Sequence, residues 1–477
     1  MTTAHKPLYE KVSDVVKSMI EDGRLSRGSK APSLRKMSQQ LKVSISTVTK
    51  AYMNLEDQGI LHAKPQSGYF VQKCIKTEPD MPHWPAPAKT PKPIHSEKVL
   101  EGIFAAANQE NFLSLGAAIP SAELMPAKAL ARATRQVISR HPEEIVNYCF
   151  SPGLVELRRL IAYRTLEAGC QISPDDVHIT SGGMEAVILT LSAVTQPGDI
   201  VAIESPTYFG LLQAIEHRGL LAVEIETDPV TGMNLDCLED AIRNENIKAV
   251  LTVPNFSNPT GSLMPEANKA RLVELLAQHD IPLMEDDIMG DLYFGENRPP
   301  LCKKFDKKGL VLTCSSFSKT TAPGFRVGWV LPGRFKEHVL KTASALTQVT
   351  ASITQLAITE LLRSGYYDRH LNRLRRAYQH QTEQMRMEIA AHFPEGTRIS
   401  RPEGGFILWV QLPRRINSRE MYQQAMEAGI SLTPGDLFSV SRKYQDFIRL
   451  CAGYPMTEQV SQAIATLGRI AHNMLNK

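Results

Sequence analysis

The chain has 477 residues, 43% hydrophobic and 22% charged, with a formal net charge of +4. The length suggests two or three domains, and the composition is that of an ordinary soluble globular protein. No run of about eighteen apolar residues exists to cross a membrane, and the start, MTTAHKPLYEKV, lacks the apolar core of a signal peptide. Seven scattered cysteines, never spaced as CxxC, argue against a disulfide framework or a zinc site and fit a reducing cytoplasm. The charge is unevenly placed. Residues 1–73 hold 12 Lys and Arg against 6 Asp and Glu, while the remainder is slightly acidic. A local basic field of this kind suits a polyanion partner, although a basic surface without a partner has the same composition.

In chain order, Tyr9, Val12, Val16, Met19 and Ile20 follow helical spacing, with Gly23 able to end the helix. Pro32-Ser33 opens a second short helix holding Leu34, Met37 and Leu41. Ser44 can cap a third, whose inner face is Val48, Ala51, Tyr52 and Leu55 and which Gly59 stops. Two β-like runs, ILHA and GYFVQ, flank the turn KPQSG. Together these elements predict a winged helix-turn-helix over residues 1–73.

Residues 74–98 read as a linker. Six prolines between Pro79 and Pro93 predict an extended, semi-rigid stretch that does not pack. From residue 99 to 477 the rhythm changes to β-rich runs alternating with helical stretches: VHIT, IVAIE, AVLTV, IPLMED, LVLTCSSF and RVGWVL. Such alternation predicts an α/β layer with a mostly parallel sheet, whose ligands bind at the carboxyl ends of the strands.

The residues just past each run are therefore the candidates for a binding site. After VHIT come Ser181-Gly182-Gly183-Met184 and a helix, a turn that can bring backbone N–H groups to an anion or can be a generic turn. After IVAIE, Tyr208 can stack on a flat ring or sit in the core. After AVLTV, Asn258 can donate to a ligand oxygen or merely form an Asn-Pro turn. After IPLM, three acids, Glu285-Asp286-Asp287, end a buried strand. They are costly unless paired, and a carboxylate there can hold a proton on a ring nitrogen. A metal is the competing reading, but no His accompanies them. After LVLTC, Lys319 stands where an amine can form a Schiff base, with the hydroxyls of Ser316 and Ser318 and the guanidinium of Arg326 beside it. Singly these groups are ordinary. In ordered series they are what pyridoxal phosphate requires.

The series Y-x4-G-x3-LR (Tyr148 to Arg158), SGG, ESPTY, NPTG, MEDD and SFSK-x6-R resembles the fold-type-I aminotransferases from about Leu113 onward. Residues 7–71, with PSLRKMSQQLKVSISTVTKAYMNLEDQG and PQSGYFV, resemble the GntR-type winged helix. In tandem the two resemble a MocR-type transcriptional regulator. The resemblance implies a Schiff-base role for Lys319, pairing of Asp286 with the pyridine nitrogen, stacking by Tyr208, and a bond from Asn258 to the phenolic oxygen. It places Gly183, Met184, Ser316, Ser318 and Arg326 around the phosphate and implies a homodimer, with Tyr148 reaching the partner's phosphate. Arg449, in FIRL, matches the arginine that holds a substrate carboxylate, for which a bidentate guanidinium is suited. A surface ion pair is its alternative. The family's tyrosine, two or three residues after Asp286, is missing: Ile288 and Met289 stand there. A weaker bond to the phenolate, a raised Schiff-base pKa and little demand for efficient transamination are the expectations.

At the basic end, Ser44, Ser46, Thr47, Thr49 and Lys50 lie near the start of the third helix, where a recognition helix meets bases and phosphates. Arg35 would reach DNA from the second helix, and Lys64, Gln66 and Ser67 from the wing. A dimer would present two winged helices to a repeated or palindromic operator. The expected function is a DNA-binding regulator that senses pyridoxal phosphate, with or without an amino-acid or amine effector. The alternative is a working aminotransferase with an accessory domain.

Overall fold

The computed structural model describes residues 7–22, 24, 25, 28–64, 67–71, 79–84, 86, 87, 90–94, 99–109 and 112–476. In the N-terminal unit, α1 (Leu8–Glu21), α2 (Leu34–Leu41) and α3 (Ile45–Asp57) precede the hairpin of β1 (Leu61–Lys64) and β2 (Gly68–Val71). Ser33 and Ser44 cap α2 and α3, their hydroxyls accepting from Lys36 N and Thr47 N. Each such cap is worth about 1 kcal/mol. Val48, Ala51, Tyr52 and Leu55 of α3 are fully buried against Val12, Val16 and Met37. The Tyr52 hydroxyl donates to Pro32 O at 2.8 Å and so fixes α3 against the entry to α2. Gly23, expected to end α1, lies outside the described residues.

The proline-rich segment corrects the expectation of an unpacked linker. The Trp84 indole is 5% exposed, sits among Leu437, Phe438 and Phe447, and donates to Thr227 O at 2.8 Å. Asp80 O accepts from Ile399 N, His83 N donates to Gln411 Oε1, and Lys92 bridges Ala222. Proline composition sets the backbone extended, but an extended chain can still lie along a surface when it carries one large apolar side chain.

The large domain is built on an eight-stranded sheet. Its strands are β3 (His178–Thr180), β4 (Ile200–Ser205), β5 (Leu221–Asp228), β6 (Gly232–Met233), β7 (Ile247–Thr252), β8 (Leu283–Asp286), β9 (Val311–Ser316) and β10 (Gly328–Leu331). The spatial order is β3-β10-β9-β8-β7-β4-β5-β6, parallel except for β10 and β6. Helices cover both faces, so the central strands are buried on both sides and read as apolar runs. A smaller antiparallel sheet follows, with β11 (Arg398–Ile399), β12 (Ile407–Gln411), β13 (Thr433–Pro434) and β14 (Phe447–Cys451) in the order β11-β12-β14-β13. The buried Glu224 of β5 ties the two parts together. It accepts from Ser439 Oγ at 2.7 Å, Val440 N at 3.0 Å and Ser441 Oγ at 2.6 Å.

Candidate cofactor and DNA-binding sites

Five strand ends converge at the carboxyl edge of the large sheet. β3 leads through Ser181-Gly182 into α4 (Gly183–Val194). Gly182 has φ +102°, and a Cβ built on it would stand 2.2 Å from Arg326 Nη2, so only glycine admits the guanidinium here. That guanidinium donates to Ser181 O at 3.1 Å and Ser318 Oγ at 3.5 Å. A Cβ on Gly183 would meet Ile288 Cδ1 at 3.4 Å and Ser316 Oγ at 3.7 Å. The start of α4 is thus a cradle walled by the hydroxyls of Ser316 and Ser318 and by Arg326, with the helix dipole favouring an anion there. Met184 turns instead into the apolar layer behind.

Lys319 follows β9, and its Nζ donates to Ala118 O at 2.6 Å. Burial, with Arg449 and Arg326 nearby, pulls the amine down to about 8, against the opposing influence of Cys451 and Asp286. Asp286, at the end of β8, is 8% exposed and accepts from Ile288 N at 3.1 Å. Burial pushes its carboxyl up to about 7; the charge of Asp287 adds to this, while Ile288 N–H and Lys319 oppose it. Asp287 itself is matched by Arg298 and by Asn255, whose Nδ2 lies 2.7 Å away. The Tyr208 ring lies over Gly210, where a Cβ would be 2.4 Å from its Cε1. Arg449 and Asp286 both act on the Tyr208 hydroxyl, which burial pushes up.

Arg449 is 1% exposed on β14, an inner strand of the small sheet, which removes the surface ion-pair alternative. Its Nη1 donates to Asn258 Oδ1 at 3.0 Å, and its Nη2 to Thr433 Oγ1 at 3.2 Å and to Gly116 O. Among the described residues its Nε is buried without a hydrogen-bond partner. The rings of Phe209 and Phe438 flank the guanidinium at 5.3 and 5.0 Å. With its oxygen used by Arg449, the Asn258 amide keeps its N–H groups for another acceptor. Tyr148 lies apart from these groups. It is 75% exposed and leans on Phe150, itself 65% exposed.

The two positions of the missing tyrosine diverge. Ile288 faces the turn at Gly183, whereas Met289 is buried among Phe256, Phe406 and Cys451. Sequence reasoning missed the carbonyls of Gly116 and Ala118 and the hydroxyl of Thr433. Backbone oxygens carry no residue signature, and GAAIPS was the only hint.

On the winged helix, Arg35, Ser44, Ser46 and Lys50 are exposed and Thr47 and Thr49 half-buried. The Ser44 hydroxyl lies 2.8 Å from Ser46 Oγ and 2.7 Å from Thr47 Oγ1, and Thr49 Oγ1 donates to Ile45 O at 2.9 Å. Several hydroxyls are therefore already engaged. Ile45 and Met53, 49% and 56% exposed, join the same face. Lys50 lies over the Tyr9 ring and Lys64 over Phe70. Ser67 is exposed on the wing, and Gln66 lies outside the described residues.

Comparison with known proteins decides the family. Residues 8–71 match the model for bacterial regulatory proteins of the gntR family, and residues 110–467 match aminotransferase class I and II. The HTH-type transcriptional regulator YjiR of Escherichia coli (strain K12) is 35% identical over 98% of this chain and 99% of its own. The chain belongs to the MocR-type GntR regulators. This regulator's C-terminal part has the fold-type-I aminotransferase fold. Aromatic-amino-acid aminotransferase 1 of Thermococcus litoralis is 31% identical over 76% of this chain and 89% of its own. The LysN α-aminoadipate aminotransferase of Thermus thermophilus, solved with N-(5'-phosphopyridoxyl)-L-leucine, has a TM-score of 0.74 and 25% identity over 80% of this chain and 96% of its own. The regulator's cofactor is pyridoxal phosphate, and the cradle, the carboxyl and the lysine at the strand ends suit its phosphate, ring nitrogen and carbonyl. Among the described residues no cluster could hold a metal ion, and no helix is long and apolar enough to cross a membrane.

Proposed function

We propose that this cytoplasmic regulator binds pyridoxal phosphate at Lys319, admits an amino compound bearing a carboxylate, and changes its affinity for an operator accordingly. When bound, the cofactor supplies an electrophilic carbonyl. Lys319 offers the amine, Asp286 the carboxylate for the ring nitrogen, and Asn258 a donor for the phenolic oxygen. Tyr208 covers the ring, and Gly183, the backbone N–H of Met184, Ser316, Ser318 and Arg326 frame the phosphate. The observation that carries the effector reading is Arg449, fully buried, held by three neutral oxygens and keeping an Nε with no hydrogen-bond partner among the described residues. A buried donor without a partner is costly, and a carboxylate would satisfy it.

Exposed apolar residues at Val146, Tyr148 and Phe150 support a homodimer in which Tyr148 completes the partner's site. The face of Arg35, Ser44, Ser46, Thr47, Thr49 and Lys50, with the wing residues Lys64 and Ser67, supports operator contact, to which Gln66 is assigned from the sequence alone. Fluorescence anisotropy on an operator selected from random duplexes, with and without pyridoxal phosphate and a panel of amino acids, tests the reading. Ligand-dependent affinity is expected, and Lys319→Ala should abolish the cofactor's visible absorbance and the dependence together. Rapid conversion of the cofactor to its amine form by ordinary amino acids, with no DNA binding, would establish the enzyme instead.

A further inference from the structure

One helix touches the lysine loop, the loop that follows the strand-end acids, the small domain and the winged helix. It is α5 (Tyr366–His392), 27 residues long. At its start, the Tyr367 hydroxyl lies 3.0 Å from Thr320 Oγ1, and His370 Nε2 donates to Thr320 O at 2.7 Å. Thr320 is the neighbour of Lys319. One turn on, Arg375 Nε donates to Asp291 O at 2.8 Å, and its guanidinium lies 3.8 Å from the Tyr293 ring centroid. Asp291 shares the guanidinium of Arg298 with Asp287, the neighbour of Asp286. Tyr378 then packs on Phe406 at 4.7 Å in the cluster that holds Met289. Arg386 Nε donates to Ser400 O at 3.1 Å beside the small sheet. Lastly, Met387 packs against the winged-helix core, and Gln384 Nε2 lies 3.8 Å from where a Cβ on Gly59 would stand.

From His370 to Met387 the helix spans about 26 Å. Beside this dock, a cavity of about 1030 Å³ separates Asn54 and Gln58 of the DNA-binding unit from Arg376, His380 and Glu383 of α5. The winged helix therefore rests on α5 over a narrow patch with open space alongside, so a small shift of the helix can re-seat it. The proline-rich segment is a poorer route, because it is bonded to the small sheet at Asp80 and His83 and to the large sheet at Trp84 and Lys92.

We propose that α5 is the element through which occupancy of the Lys319 site sets the seating of the winged helix, with Tyr367 and His370 as its input contacts and Gln384 and Met387 as its output contacts. This rests on the functional reading above. A coupling of this sort requires both ends to bias one physical element.

The test uses the full chain. In Met387→Glu a charge falls on the dock, far from the cofactor. Pyridoxal phosphate affinity, read by absorbance titration of the cofactor-free protein, should stay within twofold of wild type. The ratio of operator affinities with and without the cofactor should fall to nearly one, and the cofactor-dependent change in hydrogen exchange over residues 45–71 should vanish. Met387→Leu should keep both. Tyr367→Phe, which cuts the input hydroxyl, should lower the same ratio, and adding it to Met387→Glu should lower it no further. A wild-type ratio in both variants overturns the proposal while the functional reading stands. A wild-type protein whose operator affinity ignores cofactor and amino acids overturns that reading, and this proposal with it. If Met387→Glu fails to fold, Tyr367→Phe with a wild-type ratio suffices to overturn the inference.

Discussion

Gly182→Ala is the sharpest single test of the phosphate cradle. The residue sits at φ 102°, ψ 173°, a region essentially reserved for glycine, and holding alanine there costs about 1–3 kcal/mol. The added Cβ would also fall 2.2 Å from Arg326 Nη2, so the guanidinium must leave Ser181 O and Ser318 Oγ. Two charge-assisted hydrogen bonds to a phosphate, at about 1.5–3 kcal/mol each, would go with it. Pyridoxal phosphate affinity should therefore drop by roughly 100- to 10,000-fold, and the Tm of the cofactor-free protein by a few degrees. Gly198→Ala separates the two effects. Gly198 has φ +91° but no atom of the described residues within 4 Å of its would-be Cβ, so it should lose stability and keep cofactor affinity. Absorbance titration of both cofactor-free variants and a thermal melt supply the data. A Gly182→Ala protein that binds the cofactor as tightly as Gly198→Ala would refute the assignment of Arg326 to the phosphate.

Other outcomes rest on single groups. Arg449→Met should leave cofactor uptake intact and weaken carboxylate-bearing effectors by at least about 30-fold, the cost of losing a buried charged partner, measured by the spectral shift on amino-acid titration. Because the Lys319 amine is drawn down to about 8, uptake of pyridoxal phosphate should accelerate tenfold per pH unit up to about 8 and then level off. An ordinary lysine would keep accelerating toward about 10.4. Ile288→Tyr, on the side of the Gly183 turn, should return a donor toward the phenolic oxygen and lower the spectral pKa of the lysine-linked cofactor by about one to two units; an unchanged titration would discount that position. Arg35→Ala and Lys50→Ala should each flatten the salt dependence of operator binding by about 0.9 in slope per lost phosphate contact, read by anisotropy between low and high salt.

The strand ends were legible because a parallel sheet leaves its functional groups just past apolar runs, and six such runs stand out in the sequence. β5 did not stand out. LAVEIETD carries Glu224 and Glu226, and acids inside a strand read as surface until Ser439, Val440 and Ser441 are seen capping Glu224. The helices of the DNA-binding unit were legible from caps and spacing together, since Ser33 and Ser44 each announce a helix start. Trp84 was not, because whether a proline-rich strand finds a surface is a tertiary fact. Arg449 could be matched by motif, but its burial and its bare Nε depend on Gly116, Asn258 and Thr433, which lie far apart in sequence. Likewise, only the backbone path after Asp286 decides that Ile288 and not Met289 faces the phosphate turn.

The docking of Asp80 and His83 on the small sheet, and of Trp84 and Lys92 on the large one, shortens the true tether. Between Val71, the last residue of the wing, and the bonded Asp80 lie only residues 72–79, a covalent reach of about 30 Å at full extension. Each winged helix is thus leashed to its own aminotransferase-like part within a small volume, where its local concentration lies in the millimolar range. Release from α5 would not set the domain wandering. In a dimer, two leashes of this length would limit how far apart two operator half-sites can be and still be held together, so that half-site spacing becomes a property of the large-domain dimer more than of the DNA-binding unit itself.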